Sequence, residues 1–237
     1  MVQVGISTTG FSSAYHAVIW EQGDIRQLRD AAGTALDAGT LRCNADCSVI
    51  AGGGGGYSAF EPVLAWRYLR SERGDRVCHF NPHQGVNRTA LRYQSYATSA
   101  SGNVIAGSYY FDDVPPGGGW ARNVAKGFLW IGTETGGTMH DLQTYLRGLG
   151  QRAFDDWAEV EVTGMSANGR YLVGWGIDAT ETVRGWRVDF GATPRATGPR
   201  ADYTSCPPRT KPPRTQALAA ADAPQRDQAR YEDQPSG

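Results

Sequence analysis

Short apolar runs that each end on glycine recur along this chain, and each is entered through small and polar residues. Val49-Ile50-Ala51-Gly52 follows Asn44-Ala45-Asp46-Cys47-Ser48, Val104-Ile105-Ala106-Gly107 follows Ser99-Ala100-Ser101-Gly102-Asn103, and Tyr171-Leu172-Val173-Gly174 follows Ser166-Ala167-Asn168-Gly169-Arg170. Apolar runs this short, bounded by turn residues, predict strands buried on both faces between stacked sheets. Asp, Ser or Asn at the third position and Gly at the fourth favour a type I or I′ turn with a left-handed residue. A variable polar loop then leads to a second strand ending on or near tryptophan: Pro62-Val63-Leu64-Ala65-Trp66, Gly127-Phe128-Leu129-Trp130 and Arg184-Gly185-Trp186. These pairs predict hairpins. After the tryptophan strand, Glu21 to Leu28 resembles Gly132 to Leu142, which predicts a turn and a third strand.

A fixed strand pair repeated with loops of variable length marks an array in which each unit buries its apolar face only against its neighbours. The repeat tryptophans Trp20, Trp66, Trp130 and Trp186 follow one another at 46 to 64 residues. A unit of three or four short strands in that length matches a propeller blade better than a solenoid coil. The fold expected is therefore all-β, a β-propeller-like array of about four short antiparallel blades. The terminal glycine of each run lets a bulky ring approach, so Trp20, Trp66, Trp130 and Trp186 are expected in the core rather than on a sugar-binding platform. Val2-Gln3-Val4-Gly5 matches only the end of the first strand. Either a turn and leader have been lost from the amino end, or the carboxyl end supplies the missing strand and closes a ring, as propellers do to remove an open edge.

These phrases resemble the HAF-repeat proteins of bacteria. Their units pair a Ser-Ala-Asp-Gly-Ser-Val-Val-Val-Gly phrase with His-Ala-Phe-Arg-Trp and then Gly-Gly-Met-x-Asp-Leu-Gly. The first is echoed by Ser99 to Gly107 and Ser166 to Gly174. The second is echoed by His16-Ala17-Val18-Ile19-Trp20 and, more loosely, Lys126 to Trp130, and the third by Gly136 to Leu142. Only one copy keeps the His-Ala pair, and the loops at Tyr57 to Glu61 and Tyr109 to Ala125 are irregular. The resemblance implies a propeller-like protein that is extracellular or on the cell surface, often without assigned catalysis.

Composition refines this picture. The repeats occupy 1–190 as one domain, whereas 191–237 is rich in Pro, Arg, Ala, Asp and Gln and is expected to be a disordered tail, because it lacks the apolar surface needed to offset ordering entropy. The 237 residues carry 23 basic and 24 acidic side chains, which argues against a nucleic-acid partner held by counterion release. No apolar run reaches the length of a membrane-spanning helix, so no membrane insertion is expected. No leader is visible at Met1 to Gly10, which by itself reads as cytoplasmic, although a start inside a repeat weakens that inference.

Candidate chemistry is sparse. Cys47 stands where the other copies have Gly102 and Gly169, and Cys43 precedes it by four residues. A cross-turn disulfide between them suits an exported protein and not a reducing cytosol. Cys78-His79-Phe80-Asn81-Pro82-His83 offers a thiol and two imidazoles, but no second pair stands at zinc-ligand spacing. Asp112-Asp113 and Asp155-Asp156 lack the spacing of a calcium loop, and the glycines from Gly52 to Gly56 lack the lysine of a phosphate loop. No metal or cofactor is expected. The segment from Tyr109 to Trp120 concentrates aromatics and carboxylates in what reads as a long loop. Tyr109, Tyr110, Asp112, Asp113 and Trp120 are therefore the candidate binding residues, for a glycan or protein ligand. The competing account of this segment is a self-packed loop covering a blade edge. At the level of function, the leading expectation is a non-enzymatic binding scaffold. The alternatives are a carbohydrate-active hydrolase using the loop carboxylates, or an inactive fragment of a longer surface protein.

Overall fold

The structure is a computed structural model that describes residues 2–8, 15–30, 32–54, 65–71, 75–80, 92–113, 122–133 and 136–195. These form four antiparallel sheets, each a meander of sequence-adjacent strands. The first holds β1 (Val2–Thr8), β2 (Tyr15–Glu21) and β3 (Asp24–Gln27). The second holds β4 (Thr40–Cys43), β5 (Val49–Gly53), β6 (Trp66–Leu69) and β7 (Arg76–His79). The third holds β8 (Arg92–Thr98), β9 (Val104–Asp113), β10 (Arg122–Thr133) and β11 (Gly136–Asp141). A short helix, α1 (Leu142–Gly148), leads to the fourth: β12 (Glu159–Met165), β13 (Tyr171–Ile177) and β14 (Val183–Asp189). The fold is all-β, and the sheets do not close into a barrel.

The repeated phrase builds the same turn three times. Asn44 Oδ1, Ser99 Oγ and Ser166 Oγ accept from the N–H groups of Val49, Val104 and Tyr171 at 2.9, 3.1 and 2.9 Å. The third-position side chains Asp46, Ser101 and Asn168 accept from Ser48, Asn103 and Arg170. At the fourth position φ is positive in all three turns, +53° at Cys47, +70° at Gly102 and +74° at Gly169. Glycine is free of Cβ strain there. Cys47 has that strain, and its disulfide to Cys43 spans a Cα separation of 4.9 Å across the turn. Cys78 is disulfide-bonded as well.

Each turn also rests on the sheet before it. Gly169 lies against Val104, Gly102 against Val49, and Cys47 Sγ is 3.9 Å from the carbonyl of Val2. The sheets accordingly stack in chain order around three apolar clusters. Ala17 and Ile19 meet Ile50, Trp66 and Tyr68; Ala51 and Phe80 meet Ile105, Phe128 and Trp130; Val104 and Ala106 meet Val160, Leu172 and Trp186. In every case the tryptophan-bearing face of one sheet lies on the opposite face of its predecessor. Arg67 is fully buried between the second and third sheets, its guanidinium 5.0 Å from the Trp130 ring and donating to the Thr133 carbonyl at 2.8 Å.

Register changes the alignment of the repeats. Gly52 is opposite Trp66 and Gly174 opposite Trp186, but Gly107 is opposite Phe128 and Gly5 opposite Val18. Trp20 and Trp130 therefore stand two residues further on, at the place of Tyr68 and Val188. A ring still covers the glycine each time: a Cβ on Gly5, Gly52, Gly107 or Gly174 would overlap Trp20, Trp66, Phe128 or Trp186.

Other expectations are corrected. The strands ahead of each phrase, β4, β8 and β12, were not foreseen. Cys78 and His79, candidates above for metal chemistry, belong to β7, with Cys78 and Phe80 fully buried. Helix α1 forms because Asp141 caps it, accepting from Thr144 N–H at 2.8 Å, and because Leu142, Tyr145 and Leu146 share one buried face. Of the expected disordered tail, 191–195 is described and anchored. Thr193 Oγ1 donates to the Asn168 carbonyl and Tyr145 OH to that of Arg195. The remainder of the tail, from 196 to 237, lies outside the described residues.

Candidate functional site

The meander fixes two unlike ends of the stack. The tight turns at 44–48, 99–103 and 166–170 lie at one end, and the hairpin connections β1–β2, β5–β6, β9–β10 and β13–β14 all emerge at the other. Of these four, only the connection at 178–182 is fully described. Asp178 closes it by accepting from Thr180 and Thr182 N–H at 2.9 and 3.1 Å and from Arg184. The Thr180 hydroxyl, which also donates to it, and after it these N–H donors and Arg184 lower its carboxyl pKa to about 2.

The third sheet reaches furthest toward this loop end. β9 has 10 residues and β10 has 12, against seven in β8 and six in β11. Pairing with β8 stops at Tyr110 and pairing with β11 at Phe128, while β9 and β10 continue together to the Asp113–Arg122 pair. The hairpin beyond Tyr110 is thus a two-stranded arm. Tyr109 to Asp113, expected as loop, are strand residues, because their backbone groups find partners across β10. Asp112 lies opposite Asn123 and Asp113 opposite Arg122. Trp120 and the tip at 114–121 lie outside the described residues, as do the Tyr57 to Glu61 loop, Asn81 to His83, and Gly55 and Gly56.

At the base of the arm the two tyrosines point to opposite faces. Tyr109 is 5% exposed, stacks on Tyr93 at 5.7 Å and donates to Asp141 at 3.0 Å. Asp141 thereby joins the arm to the cap of α1. Nearby, Lys126 donates to Gln143 Oε1 at 2.9 Å and to the Trp157 carbonyl at 3.2 Å, and burial pulls its ammonium pKa down against the carboxylates of Asp141 and Glu159. Tyr110, on the other face, is 2.7 Å from Tyr96 OH, which donates to Gln94, and the Arg92 guanidinium lies 4.3 Å over its ring. Glu161 of β12 completes this second cluster. Burial raises its carboxyl pKa and Glu159 adds to the rise, while the Tyr110 hydroxyl and Arg92 work against it.

Burial raises both tyrosine pKa values, so each hydroxyl stays protonated and serves as a hydrogen-bonding group. Tyr109 and Tyr110 consequently hold the arm's base rather than offering an aromatic surface. Sequence reading missed Arg92, Tyr96, Lys126, Asp141 and Glu161, which come from four strands, and of these Glu161 is brought in only by the stacking of sheets three and four. Asp155, the other acidic candidate, pairs with Arg147 at 3.0 Å. Among the described residues no three His, Cys, Asp or Glu side chains converge as a metal site. No helix among them is long and apolar enough to cross a membrane. The chain matches no protein-family model, no curated protein and no solved structure.

Proposed function

We propose that the four sheets are blades of a propeller-like array of the HAF-repeat kind, and that the protein is an exported or cell-surface binding scaffold. It would grip a glycan or protein ligand with the β9–β10 arm. The observation that carries this reading is the arm itself, a two-stranded extension past both neighbouring strands at the loop end, with Asp112 and Asp113 near its tip. Recognition elements concentrate where a rigid scaffold projects a long connection. The oxidised state of Cys43, Cys47 and Cys78 supports an oxidising compartment.

The reading is tested by removing the arm without disturbing its base. Phe111, which packs on the core, and buried Val124 are register partners, so joining them through Asn-Gly gives a two-residue hairpin turn. Labelled protein is then applied to an array of immobilised glycans and to intact bacterial cells. The full-length arm is expected to bind and the shortened one to lose binding, with the thermal unfolding midpoint nearly unchanged. Equal binding by both proteins, or release of cleaved sugar, contradicts the proposal.

A further inference from the structure

The two ends of the stack are complementary in a way that the single chain leaves unused. Inside the stack, alternate residues of each phrase strand receive the next sheet: Val49 and Ala51 in β5, Val104 and Ala106 in β9. The position that follows is small, because the first strand of the incoming sheet nests there. A Cβ on Gly53 would overlap the Tyr93 carbonyl of β8, and Ser108 Oγ accepts from Val162 N–H of β12 at 3.1 Å. In β13 the same three positions are Tyr171, Val173 and Trp175. Val173 and Trp175 are 42% and 36% exposed, and Val183 on the adjoining strand is 66% exposed. This face is built as a receiving face, but Trp175 fills the space that an incoming first strand would take.

At the other end the first sheet presents the tryptophan-bearing face that sheets two, three and four each pack onto a predecessor. Trp20 is partly exposed there, and its cross-strand partner Ile25 is 62% exposed. Among the described residues this sheet begins at β1, the equivalent of β5, β9 and β13, and has no counterpart of β4, β8 or β12. Within the described residues, the first sheet therefore brings no backbone to the place that Trp175 fills. Ile6 shows that a large residue is tolerated at this position where the incoming strand is short. The strand that packs on β1 is β4, which starts at the partner of Gly53, whereas β8 starts two residues earlier. Among the described residues no apolar cluster joins the first and fourth sheets of one chain.

We infer that the first sheet of a second copy packs on the fourth sheet, so that the chains associate head to tail through the same contact that stacks the sheets within one chain. Such an interface is heterologous, and two copies joined at both ends close into a ring. Eight sheets lie within the range of propeller rings.

Sedimentation velocity over a concentration series tests the inference, with two single variants, Trp175→Asp and Ile25→Asp. Both substitutions fall on exposed side chains, and circular dichroism checks that each variant is folded. The wild-type protein is expected to sediment as a species of at least twice 25.6 kDa, and each variant alone as a monomer. An equimolar mixture of the two variants regains a dimer, because one supplies an intact fourth sheet and the other an intact first sheet. A wild-type protein that stays monomeric throughout overturns the inference. So does an Ile25→Asp variant that remains dimeric, since that result means two fourth sheets meet face to face.

Discussion

The third and fourth sheets are built on the same phrase and differ in what covers them. The third is enclosed on both faces, and its alternating positions carry Val104, Ala106 and Ser108, which are buried at 1%, 0% and 0% exposure. The fourth is enclosed on one face, and the equivalent positions carry Tyr171, Val173 and Trp175. Both sets are apolar or small enough to read as a strand interior. The comparison teaches that residue size at the last of these positions, rather than hydrophobicity, records how closely the first strand of another sheet approaches. Gly53 and Ser108 mark a backbone close by, whereas Ile6 and Trp175 mark a place that no such backbone fills among the described residues.

Glycine marks where the two sheets agree, since Gly174 meets the Glu161 carbonyl and the Trp186 ring much as Gly107 meets its own neighbours, and the largest contrast is with an open glycine. Gly107 faces the Gln94 carbonyl and the Phe128 ring, whereas Gly185 of β14 has only the Gly174 carbonyl at 3.8 Å. Gly107→Ala forces backbone apart and is expected to cost upward of about 3 kcal/mol, against less than about 0.5 kcal/mol for Gly185→Ala, read by urea denaturation. Comparable losses within error would mean that β9 does not approach its neighbour β8 as closely as the bulge between Ser95 and Ala97 brings it. Next in size is tryptophan. Trp130→Ala empties a site 2% exposed and stacked on Phe80 at 4.9 Å, for an expected loss of about 3–5 kcal/mol. Trp175→Ala, measured at low protein concentration, should cost less than about 1 kcal/mol.

Smaller effects separate the turns and the polar cluster. Replacing Cys43 and Cys47 together with serine removes a short closed loop and leaves a non-glycine residue at φ +53°. The expected loss is about 2 kcal/mol. Serine at Cys43 with glycine at Cys47 should recover part of it, because glycine accepts that φ without strain. The smallest effect is pH-dependent. Because burial raises the Glu161 pKa in the folded protein, Glu161 favours folding below the unfolded carboxyl pKa and loses that contribution as pH rises through the folded value. Glu161→Gln should therefore raise the melting temperature at neutral pH and make no difference near pH 4, a pattern that thermal scans at the two pH values would show or refute.

Legibility in the sequence followed locality. The turns at Asn44, Ser99 and Ser166 were readable because their hydrogen bonds are made within six residues, by side chains whose chemistry is fixed. The strand ahead of the phrase was not. In β8 the buried alternates are Tyr93, Ser95 and Ala97, a period of two carried by residues too polar or too small to register as apolar. Helix α1 left a signal in Asp141 followed by Leu142, Tyr145 and Leu146, yet two turns of helix are too few for periodicity to stand out. Tyr109 to Asp113 read as loop because two acidic residues sit beside Pro115 and Pro116, whereas cross-strand pairing with β10 decides their conformation. The polar cluster around Glu161 joins residues from different sheets and has no local signature at all. The repeat itself was found, but its tryptophans were aligned two residues out of step, since only register distinguishes Trp66 opposite Gly52 from Trp130 beyond Phe128.

The central claim is that each sheet is locked by a ring seated on a glycine of the adjacent strand. A double-mutant cycle at Gly52 and Trp66 tests it most directly, because the three nearest atoms to a Cβ on Gly52 all belong to the Trp66 ring. The account predicts that Gly52→Ala costs about 1–3 kcal/mol with Trp66 present and close to nothing in a Trp66→Leu background. Two substitutions whose costs simply add would contradict it.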